Sequence, residues 1–380
     1  MLALVALGVA LLAATALPYV GFLALYAWVR PSGSPAAKRP SEPTVSVVLP
    51  TYNEARIVEN KLRDLVALDY PMEKVEIVVV DSSTDETPDL VESFFADRDA
   101  PASTLIREGD RRGLARALND GYAAAENEII VKTDCDARLA PDALREAMAN
   151  FADPAVDGVT GRNAEVLGGS EVETDYRGIQ SHIQTLESHL DSTFIFHGPF
   201  SAFRREAVVP IDPGSLADDS ELALRIRRNG GRVVFDPAVA YMEAAHSAFA
   251  KRRKQKDRRA MGLVRLLVQQ RDALGRHGRY GRVVLPFNWL FMLVSPWLLA
   301  TGLAALVLGA VTTAGVAGLA LPAALLAFVA AGSRDVLGPF QPFYALFDAQ
   351  VSLLSAAVRL PLTSTDGLWE PDAELREAYD

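Results

Sequence analysis

Asp134 and Asp136 are the residues of this chain whose types and spacing most directly suggest chemistry. They stand just after the short apolar run Ile129 to Val131, which is typical of a buried strand. Residues two apart at a strand end place both side chains on one side, with Cys135 pointing away. Paired carboxylates suit a hard divalent cation, so the pattern predicts a magnesium or manganese site. Two solvated loop aspartates are the alternative, and the more common case for an isolated Asp-x-Asp.

Short apolar runs alternate with longer periodic segments between Val45 and about Val239. This alternation predicts an α/β domain on a largely parallel sheet, because strands buried on both faces have continuous apolar runs. The strands are expected at Val45 to Leu49, Val75 to Val80 and Ile129 to Val131. The helices are expected at Glu54 to Leu68 after an N-cap at Asn53, at Thr87 to Phe95 with Pro88 in the first turn, and from Pro141 onward.

Polar residues stand directly after three of these strands, namely Thr51, Asp81 and Asp134. In open α/β sheets, ligands bind in the crevice outside the carboxyl ends of the strands. We therefore expect these three residues to converge on one ligand-binding crevice.

The motifs around these residues resemble the family-2 glycosyltransferases. The similar segments include Val45 to Glu54 (ValSerValValLeuProThrTyrAsnGlu), Val78 to Asp85 (ValValValAspSerSerThrAsp) and Thr133 to Asp136 (ThrAspCysAsp), and the resemblance runs on to Gly262. It implies a GT-A fold, the Rossmann-like nucleotide-diphospho-sugar transferase domain, here with N-terminal and C-terminal transmembrane helices. It also implies inverting transfer of a sugar from a nucleotide diphosphate donor, in a chain similar to the cellulose and hyaluronan synthases.

The resemblance assigns the donor to the predicted crevice. Asp81 is similar to the family's nucleoside-contacting aspartate, with Thr51 and Asn53 near the same ring and ribose. Asp134 would contact the donor through a Mn²⁺ or Mg²⁺ ion held with Asp136, and this ion would stabilise the leaving nucleoside diphosphate. The family usually has Asp-Asp-Gly-Ser at this strand end, whereas Ser-Ser-Thr follows Asp81 here. The alternative for Asp81 is a plain turn residue or helix cap.

A basic segment, Arg107 to Asn119, resembles the family's Gly-Lys-x-x-Ala-Leu-Asn element near the donor. Leu114 replaces the usual Lys, so the resemblance implies that Arg112 or Arg116 supplies the positive charge against the diphosphate. An exposed basic helix face is the alternative.

Ala217 to Ile226 resembles the segment that holds the family's catalytic base, with Asp219 at the base position and Asp218 before it. An acceptor hydroxyl must lose its proton as it attacks the anomeric carbon, and a carboxylate within hydrogen-bond reach can take it. Attack opposite the leaving diphosphate inverts the anomeric configuration. The alternative is that both aspartates begin a helix, where carboxylates favour the dipole, and the two roles are compatible.

Gln255, Arg258 and Gly262 resemble the family's Gln-x-x-Arg-Trp-x-x-Gly pattern, which holds the acceptor sugar and diphosphate in polymer-forming members. Arg259 takes the place of the Trp, whose ring gives a sugar a stacking face, so we expect a non-processive enzyme. Gly198 to Arg205 resembles the acceptor-side loop of the family. The other interpretation of the Gln255 stretch is a juxtamembrane basic helix.

Two long stretches of the chain contain no charged residue, Met1 to Val29 and Val283 to Ser333. They account for a hydrophobic content of 50%, which is high for a chain of 380 residues with 23% charged residues. Because about 20 apolar residues span a bilayer, we expect one transmembrane helix in the first stretch and two in the second. The expected crossings are roughly 3–28, 285–310 and 314–332.

Basic residues flank these stretches. Arg30, Lys38 and Arg39 follow the first, and twelve Lys or Arg lie between Lys251 and Arg282, before the second. The positive-inside rule therefore places the middle of the chain in the cytoplasm.

The single cysteine, Cys135, excludes an internal disulfide and suits a reducing compartment. Anionic headgroups account for the basic patch beside the membrane, so no nucleic-acid partner is expected.

These observations divide the chain into segments with distinct roles. They are an N-terminal transmembrane anchor (1–30), a linker (31–43), a cytoplasmic GT-A catalytic domain (44–245), a basic juxtamembrane and acceptor-side segment (246–282), two transmembrane helices (283–333), and an interfacial amphipathic helix with an acidic tail (334–380). The helix Phe343 to Leu360 is expected at the interface because Asp348, Gln350 and Arg359 are costly at bilayer depth. A spanning helix there is the alternative.

The sequence thus predicts a metal-dependent inverting hexosyltransferase in the cell membrane, multi-pass, with its catalytic domain in the cytoplasm. It would move a sugar from a nucleotide-diphospho-sugar donor to a lipid-linked or membrane-embedded acceptor. One alternative is a synthase that loads a sugar onto polyprenyl or dolichyl phosphate. That acceptor is already an anion and needs no base, so Asp219 and the stretch Gln255 to Arg258 favour a hydroxyl acceptor. The other is a non-catalytic membrane scaffold with a nucleotide-binding domain.

Overall fold

The middle of the chain forms a mixed β-sheet. The structure is a computed structural model, which describes residues 2–98, 101–167, 171–244, 249–360 and 373–377. Within these residues the strands are β1 (Val45–Thr51), β2 (Val75–Asp81), β3 (Ala102–Arg107), β4 (Ile129–Lys132), β5 (Ala137–Leu139), β6 (Val156–Leu167), β7 (Ser201–Arg204) and β8 (Arg232–Ala244). Their order across the sheet is β3-β2-β1-β4-β7-β6-β8-β5.

The half of the sheet from β3 to β4 is parallel. Its apolar side chains cover both faces, with Val47 and Leu49 in one core cluster and Val48 and Val80 in the other. All four are buried, which explains why these strands are continuous apolar runs in the sequence. The expected α/β architecture is therefore confirmed.

The other half of the sheet is mixed, which differs from the expected largely parallel sheet. β7 runs antiparallel to both β4 and β6, whereas β6 and β8 are parallel. The cause is the loop before β7, where Gly198 passes beside Asp134 at the carboxyl end of β4. A strand that starts at this edge of the sheet must run opposite to β4.

The helices cover both faces of the sheet and form the two ends of the chain. They are α1 (Leu2–Val29), α2 (Val58–Val66), α3 (Thr87–Phe95), α4 (Leu114–Ala124), α5 (Ala143–Asn150), α6 (Glu171–Leu190), α7 (Asp218–Arg228), α8 (Phe249–Gln269), α9 (Leu285–Trp289), α10 (Ser295–Ala314), α11 (Ala320–Gly332), α12 (Gln341–Arg359) and α13 (Ala373–Glu377).

The predicted α3 is confirmed, whereas α2 begins at Val58 and not at Glu54. The reason is Asn53, which has a left-handed φ of 53° and accepts a hydrogen bond from Thr84 N at 2.9 Å. Asn53 therefore ties two loops together instead of capping α2.

Small residues pack the two apolar ends of the chain against each other. A Cβ at Gly8 of α1 would lie 2.7 Å from the backbone nitrogen of Leu306 in α10, and a Cβ at Gly309 would likewise collide with α1. The absence of a side chain thus permits the close approach of the two helices. Among the described residues, Leu2–Val29 and Tyr280–Gly332 are the helical runs long and apolar enough to cross a membrane.

The second apolar run is interrupted at Gly315, whose φ of 55° suits glycine. α10 consequently ends at Ala314 and α11 starts at Ala320, later than the expected boundary between 310 and 314. The run also begins earlier than expected, with a π-helical turn at Tyr280–Val284. Its division into two membrane crossings stays a prediction.

α12 packs against α8. Asp348 is buried and accepts hydrogen bonds from Arg253 Nη1 (2.6 Å) and Lys256 Nζ (3.1 Å). Gln350 Nε2 donates to the carbonyl oxygen of Phe291 at 3.2 Å. The polar side chains that are costly in lipid thus have protein partners, which is compatible with the expected interfacial placement. Much of the expected acidic tail lies outside the described residues.

The segment 31–43, expected as a linker, is bonded to the sheet domain. Lys38 Nζ donates to Asp236 Oδ2 at 2.8 Å and forms an ion pair with Glu146 of α5. Lys38 therefore holds this part of the segment against the domain through side-chain contacts.

Candidate active site

The carboxyl ends of β1 and β2 bring Thr51 and Asp81 together, as the strand pattern predicts. Thr51 Oγ1 donates a hydrogen bond to Asp81 Oδ1 at 2.6 Å. Ser83 donates twice to the same carboxylate, from Oγ to Oδ1 at 2.7 Å and from its backbone nitrogen to Oδ2 at 3.1 Å. The serine-rich loop therefore fixes the orientation of Asp81 where the family usually has a second aspartate and a glycine.

The arginines predicted near the diphosphate lie on the surface of the domain. Arg112 is exposed and pairs with Glu108 at 2.6 Å and with Asp120. Arg116 is exposed on α4. These positions favour the alternative of a basic helix face, and contact of either arginine with the donor stays a prediction.

Lys132, the last residue of β4, connects two of the predicted site residues. Its Nζ lies 2.7 Å from Asp134 Oδ1 and 3.3 Å from Asp219 Oδ2, and its side chain is only 1% exposed. Burial opposes its charge, but the carboxylates of Asp134 and Asp219 outweigh burial and raise the pKa of Lys132 well above its ordinary value. Lys132 is not among the residues predicted from the sequence, although a lysine that ends an apolar strand is a visible signal.

Asp218 and Asp219 begin α7, where the helix dipole favours negative charge. Both are buried, and Asp218 Oδ2 and Asp219 Oδ1 have no hydrogen-bond partner among the described residues. Burial raises the pKa of Asp219 to about 7, against the opposing effect of Lys132. A buried carboxylate with such a pKa and an unused oxygen has the properties of a general base. Both proposed roles, helix start and base, thus fit the same position.

Gly198 closes the loop before β7 over these groups. A Cβ built on Gly198 would lie 2.5 Å from Asp134 Oδ2, 2.8 Å from Lys132 Nζ and 3.3 Å from Asp219 Oδ2. Only a residue without a side chain fits there without displacing the carboxylates. The predicted acceptor-side loop therefore lies beside the predicted metal ligand and base.

We expect Gly198→Ala to lower kcat at least about 10-fold, because the added methyl group displaces Asp134 and Lys132 from their present positions. Steady-state kinetics with saturating donor would measure the change. Gly178→Ala on α6 is the matched control, since nothing outside its own helix lies within 4 Å of its Cβ position. Equal rates for the two variants would contradict the close approach described here.

A second buried lysine, Lys61, holds the loop that contains Asp134 and Asp136. Lys61 Nζ donates to Thr133 Oγ1 at 2.8 Å and to the carbonyl oxygen of Ala137 at 2.6 Å, which fixes the loop at both ends. Burial lowers the pKa of Lys61 to about 8. Cys135 is buried in the core, whereas the side chains of Asp134 and Asp136 are partly exposed, which is compatible with the predicted alternation.

Asp134 and Asp136 offer oxygen ligands that fit a hard divalent cation. Their side chains are 31% and 21% exposed, so they are open to solvent beside buried neighbours. No group of three His, Cys, Asp or Glu side chains converges on a metal position within the described residues. Mg²⁺ is commonly held by one or two carboxylates together with substrate phosphates and water. The donor set therefore fits an ion that binds together with a diphosphate.

The predicted acceptor-side residues lie on α8. Arg258 is exposed, and its charge interacts with the carboxylates of Asp134, Asp136 and Asp218. Gln255 is partly buried on the preceding turn. This placement brings a cation of α8 near the predicted metal site, whereas a role in holding an acceptor diphosphate stays a prediction.

Arg259, which stands at the position of the family's Trp, forms an ion pair. It contacts Glu243 at the end of β8, and Arg177 Nη2 donates to the same carboxylate at 2.9 Å. Burial opposes the charge of Glu243, but the two guanidinium groups outweigh burial and lower its pKa to about 2. The position thus carries a charged pair where polymer-forming members present an aromatic face.

His197 lies next to the Gly198 loop and is structural. Its Nε2 lies 2.9 Å from Gln184 Oε1, and burial lowers its pKa to about 3. The ring is therefore neutral at physiological pH and donates a hydrogen bond from Nε2 to the amide oxygen.

Two family models match this chain. One, described as glycosyl transferase family 2, covers residues 46–210, and the other, described as glycosyl transferase family group 2, covers residues 129–331. The second match alone includes more than half of the chain, and the two together include β1 to α11.

A solved mannosyltransferase, PcManGT from Pyrobaculum calidifontis in complex with GDP-Man and Mn²⁺, is similar in sequence and fold. It is 32% identical with a TM-score of 0.80, and the match covers 94% of this chain and 99% of that one. Poly-beta-1,6-N-acetyl-D-glucosamine synthase of Staphylococcus aureus (strain COL) is 24% identical over 259 residues, 66% of this chain and 62% of that protein. The probable glycosyltransferase YdaM of Bacillus subtilis is 27% identical over 233 residues, 58% of this chain and 55% of that protein. The matches thus span less than two thirds of the length of these two curated relatives.

Proposed function

Because the chain belongs to glycosyl transferase family 2, we propose that it is a metal-dependent inverting enzyme that acts on a lipid-linked or membrane-embedded acceptor at the cytoplasmic membrane face. As a member of this family it is a glycosyltransferase with the GT-A fold and a nucleotide-sugar donor. The metal dependence, the acceptor and the membrane face are our proposal.

The observation that carries the proposal is the position of Lys132 between Asp134 and Asp219. One buried ammonium group contacts the carboxylate assigned to the metal and donor and the carboxylate assigned to the acceptor proton. The carboxylate assigned to the donor and the carboxylate assigned to the acceptor are therefore separated by a single side chain. Transfer of a sugar requires its donor and acceptor to be held this close together. A protein that only bound a nucleotide would have no need for the second carboxylate at this distance.

The donor would bind along the carboxyl ends of β1, β2 and β4. Asp81, held by Thr51 and Ser83, would contact the nucleoside through the acceptor capacity that its carboxylate retains. Asp134 and Asp136 would hold Mn²⁺ or Mg²⁺, which supplies positive charge to the leaving diphosphate when bound. The mannosyltransferase complex with GDP-Man and Mn²⁺ supports this assignment.

Asp219 would accept the proton of the acceptor hydroxyl as its oxygen attacks the anomeric carbon. The new bond from carbon to the acceptor oxygen forms while the bond to the phosphate oxygen breaks, and the electron pair leaves with the nucleoside diphosphate. Attack and departure on opposite faces invert the anomeric configuration. Lys132 keeps Asp219 close to Asp134 and compensates part of the negative charge of both.

Several features support a membrane location for the acceptor. The runs Leu2–Val29 and Tyr280–Gly332 carry large exposed apolar side chains, including Trp28 (79% exposed) and Trp297 (47% exposed). Arg30 and the basic segment before Tyr280 flank these runs on the side of the catalytic domain. We therefore propose the catalytic domain at 44–245, the acceptor-side segment at 246–282 and the crossings within 1–30 and 283–333.

The alternative functions are a non-catalytic scaffold and a synthase that loads a sugar onto polyprenyl or dolichyl phosphate. Membership of the family argues against a non-catalytic scaffold. A polyprenyl or dolichyl phosphate acceptor has some support from the cation Arg258, whose charge interacts with the carboxylates of the crevice. Such an anion needs no base, however, so the buried carboxylate of Asp219 favours an acceptor that reacts through a hydroxyl.

The acceptor assignment can be tested by incubating the purified enzyme in detergent with labelled nucleotide sugars, native lipid extract and Mn²⁺. Label is expected in a lipid-extractable product in which the labelled sugar is bonded to the acceptor through a glycosidic oxygen, so mild acid should release no free labelled monosaccharide. Release of free labelled monosaccharide by mild acid would support the phosphate-acceptor alternative. Label that stays outside the lipid fraction would contradict a membrane acceptor.

The rate is expected to depend on pH through Asp219. The base must be deprotonated to accept a proton, and burial raises its pKa to about 7. Activity is therefore lost as the pH falls through about 7, and kcat/KM should rise to a plateau above it. A pH profile at saturating Mn²⁺ measures this dependence. A rate that stays flat between about pH 5.5 and 8 would contradict a carboxylate base with this pKa.

A further inference from the structure

The C-terminal helix α13 brings a cation into the candidate active site. Arg376 is only 5% exposed, and its Nε donates to Glu54 Oε2 at 2.9 Å while its Nη2 contacts Glu54 Oε1. Its third nitrogen, Nη1, lies 3.3 Å from Oδ2 of Asp136. Arg376 thus joins Glu54, which follows β1, to one of the proposed metal ligands, which follows β4.

Further contacts fix α13 in this position. Leu375 is buried in the same core cluster as Cys135, and Glu374 forms an ion pair with Lys251 at 2.9 Å. The backbone nitrogen of Glu54 donates to Thr87 Oγ1 at 2.9 Å, so the backbone of the residue that binds Arg376 is itself fixed. The guanidinium group therefore has a defined plane beside Asp136.

Each proposed metal ligand consequently has its own buried cation. Lys132 contacts Asp134, and Arg376 contacts Asp136. Two neighbouring carboxylates repel each other, and the cations reduce this repulsion before any ion binds. Groups that contact metal ligands in this way orient them, and their loss commonly weakens metal affinity.

The contacts of Arg376 fit a residue that positions Asp136, and not one that competes with the metal for its carboxylate. The double contact of Arg376 is with Glu54, and only its third nitrogen reaches Asp136. Arg376 can therefore keep its place when Asp136 binds a cation through its other oxygen. A residue that blocked the site would instead have its main contact with the metal ligand.

We propose that Arg376 is a positioning residue, which orients the carboxylate of Asp136 from an anchor on Glu54 and makes the C-terminal helix a part of the metal site. This inference rests on the proposed metal dependence of the enzyme. It assigns a function to a segment that lies 240 residues from Asp136 in the sequence.

Mn²⁺ binding, measured by electron paramagnetic resonance with the full chain in the presence of GDP or of UDP, tests the proposal. Arg376→Gln should weaken Mn²⁺ binding by about 10- to 100-fold. In kinetics, the Mn²⁺ concentration for half-maximal rate should rise similarly, while kcat at saturating Mn²⁺ changes far less. Arg376→Lys should recover part of the affinity, because it restores the charge without the planar contact.

Glu377→Gln is the matched control on the same helix, since the carboxylate of Glu377 is 65% exposed and lies 3.8 Å from Arg56, away from Glu54 and Asp136. It should bind Mn²⁺ like the wild type. Glu54→Gln, which weakens the anchor, should show the same direction of change as Arg376→Gln, and it replaces that variant if Arg376→Gln does not fold.

Unchanged or tighter Mn²⁺ binding in Arg376→Gln and Glu54→Gln would overturn the inference, and tighter binding would identify α13 as a competitor of the metal. A wild-type enzyme that binds no Mn²⁺ would instead overturn the proposed metal dependence itself, together with this role. The two failures are thus distinguished by the wild type.

Discussion

Asp219→Asn is expected to lower kcat by about 100- to 10,000-fold, the range that a positioned general base contributes. The amide cannot accept the proton of the acceptor hydroxyl, and the buried Oδ1 of Asp219 is the oxygen that has no hydrogen-bond partner among the described residues. The shape of the side chain is unchanged, so donor binding should persist. Steady-state sugar transfer, with kcat and the donor KM determined separately, measures the effect.

Asp142→Asn is a suitable control for this variant, because Asp142 is an exposed carboxylate before α5. It should keep the wild-type kcat. The residual activity of Asp219→Asn should also lose the rise with pH that the wild type shows near its pKa. A kcat close to the wild-type value in Asp219→Asn would assign the base to another residue.

Asp134→Asn is expected to lower turnover on the order of 1,000-fold at saturating donor, which corresponds to the several kcal/mol that a metal contributes to stabilising a leaving group. Asp134 would hold the ion with Asp136, and loss of its charge removes one of only two carboxylate ligands. Nucleoside diphosphate release, measured over a range of Mn²⁺ concentrations, reports both the rate and the metal requirement.

Asp134 also contacts Lys132, so a folding defect must be separated from a catalytic one. Asp136→Asn serves this purpose, because its carboxylate pairs with Arg376 and not with Lys132. Both variants should lose activity while their thermal unfolding remains cooperative. Full activity in either variant would remove that residue from the metal site.

Local patterns predicted much of the parallel half of the sheet and its site. The Val-rich runs became β1, β2 and β4, and α3 follows the predicted bounds. Thr51 and Asp81 are in contact because parallel neighbouring strands end at the same edge. Such features depend on periodicity and on residues that are close in sequence, which a single chain displays directly.

The missed parts of the site depend on contacts between distant segments. Lys132 and Asp219 are 87 residues apart, and Arg376 and Asp136 are 240 residues apart. Neither pairing follows from periodicity, because the partners are brought together only when the sheet is complete. The reversed strand β7 has the same origin, since the Gly198 loop that directs it packs against residues of β4 and α7.

Sugar transfer itself is the most direct test of the account. The purified enzyme, incubated with Mn²⁺, native lipid and a panel of nucleotide sugars, should release nucleoside diphosphate from a preferred donor, and chelation of the metal or Asp219→Asn should suppress this release. No release from any donor, or release that is equal with and without metal, would contradict a metal-dependent transferase with its base at Asp219.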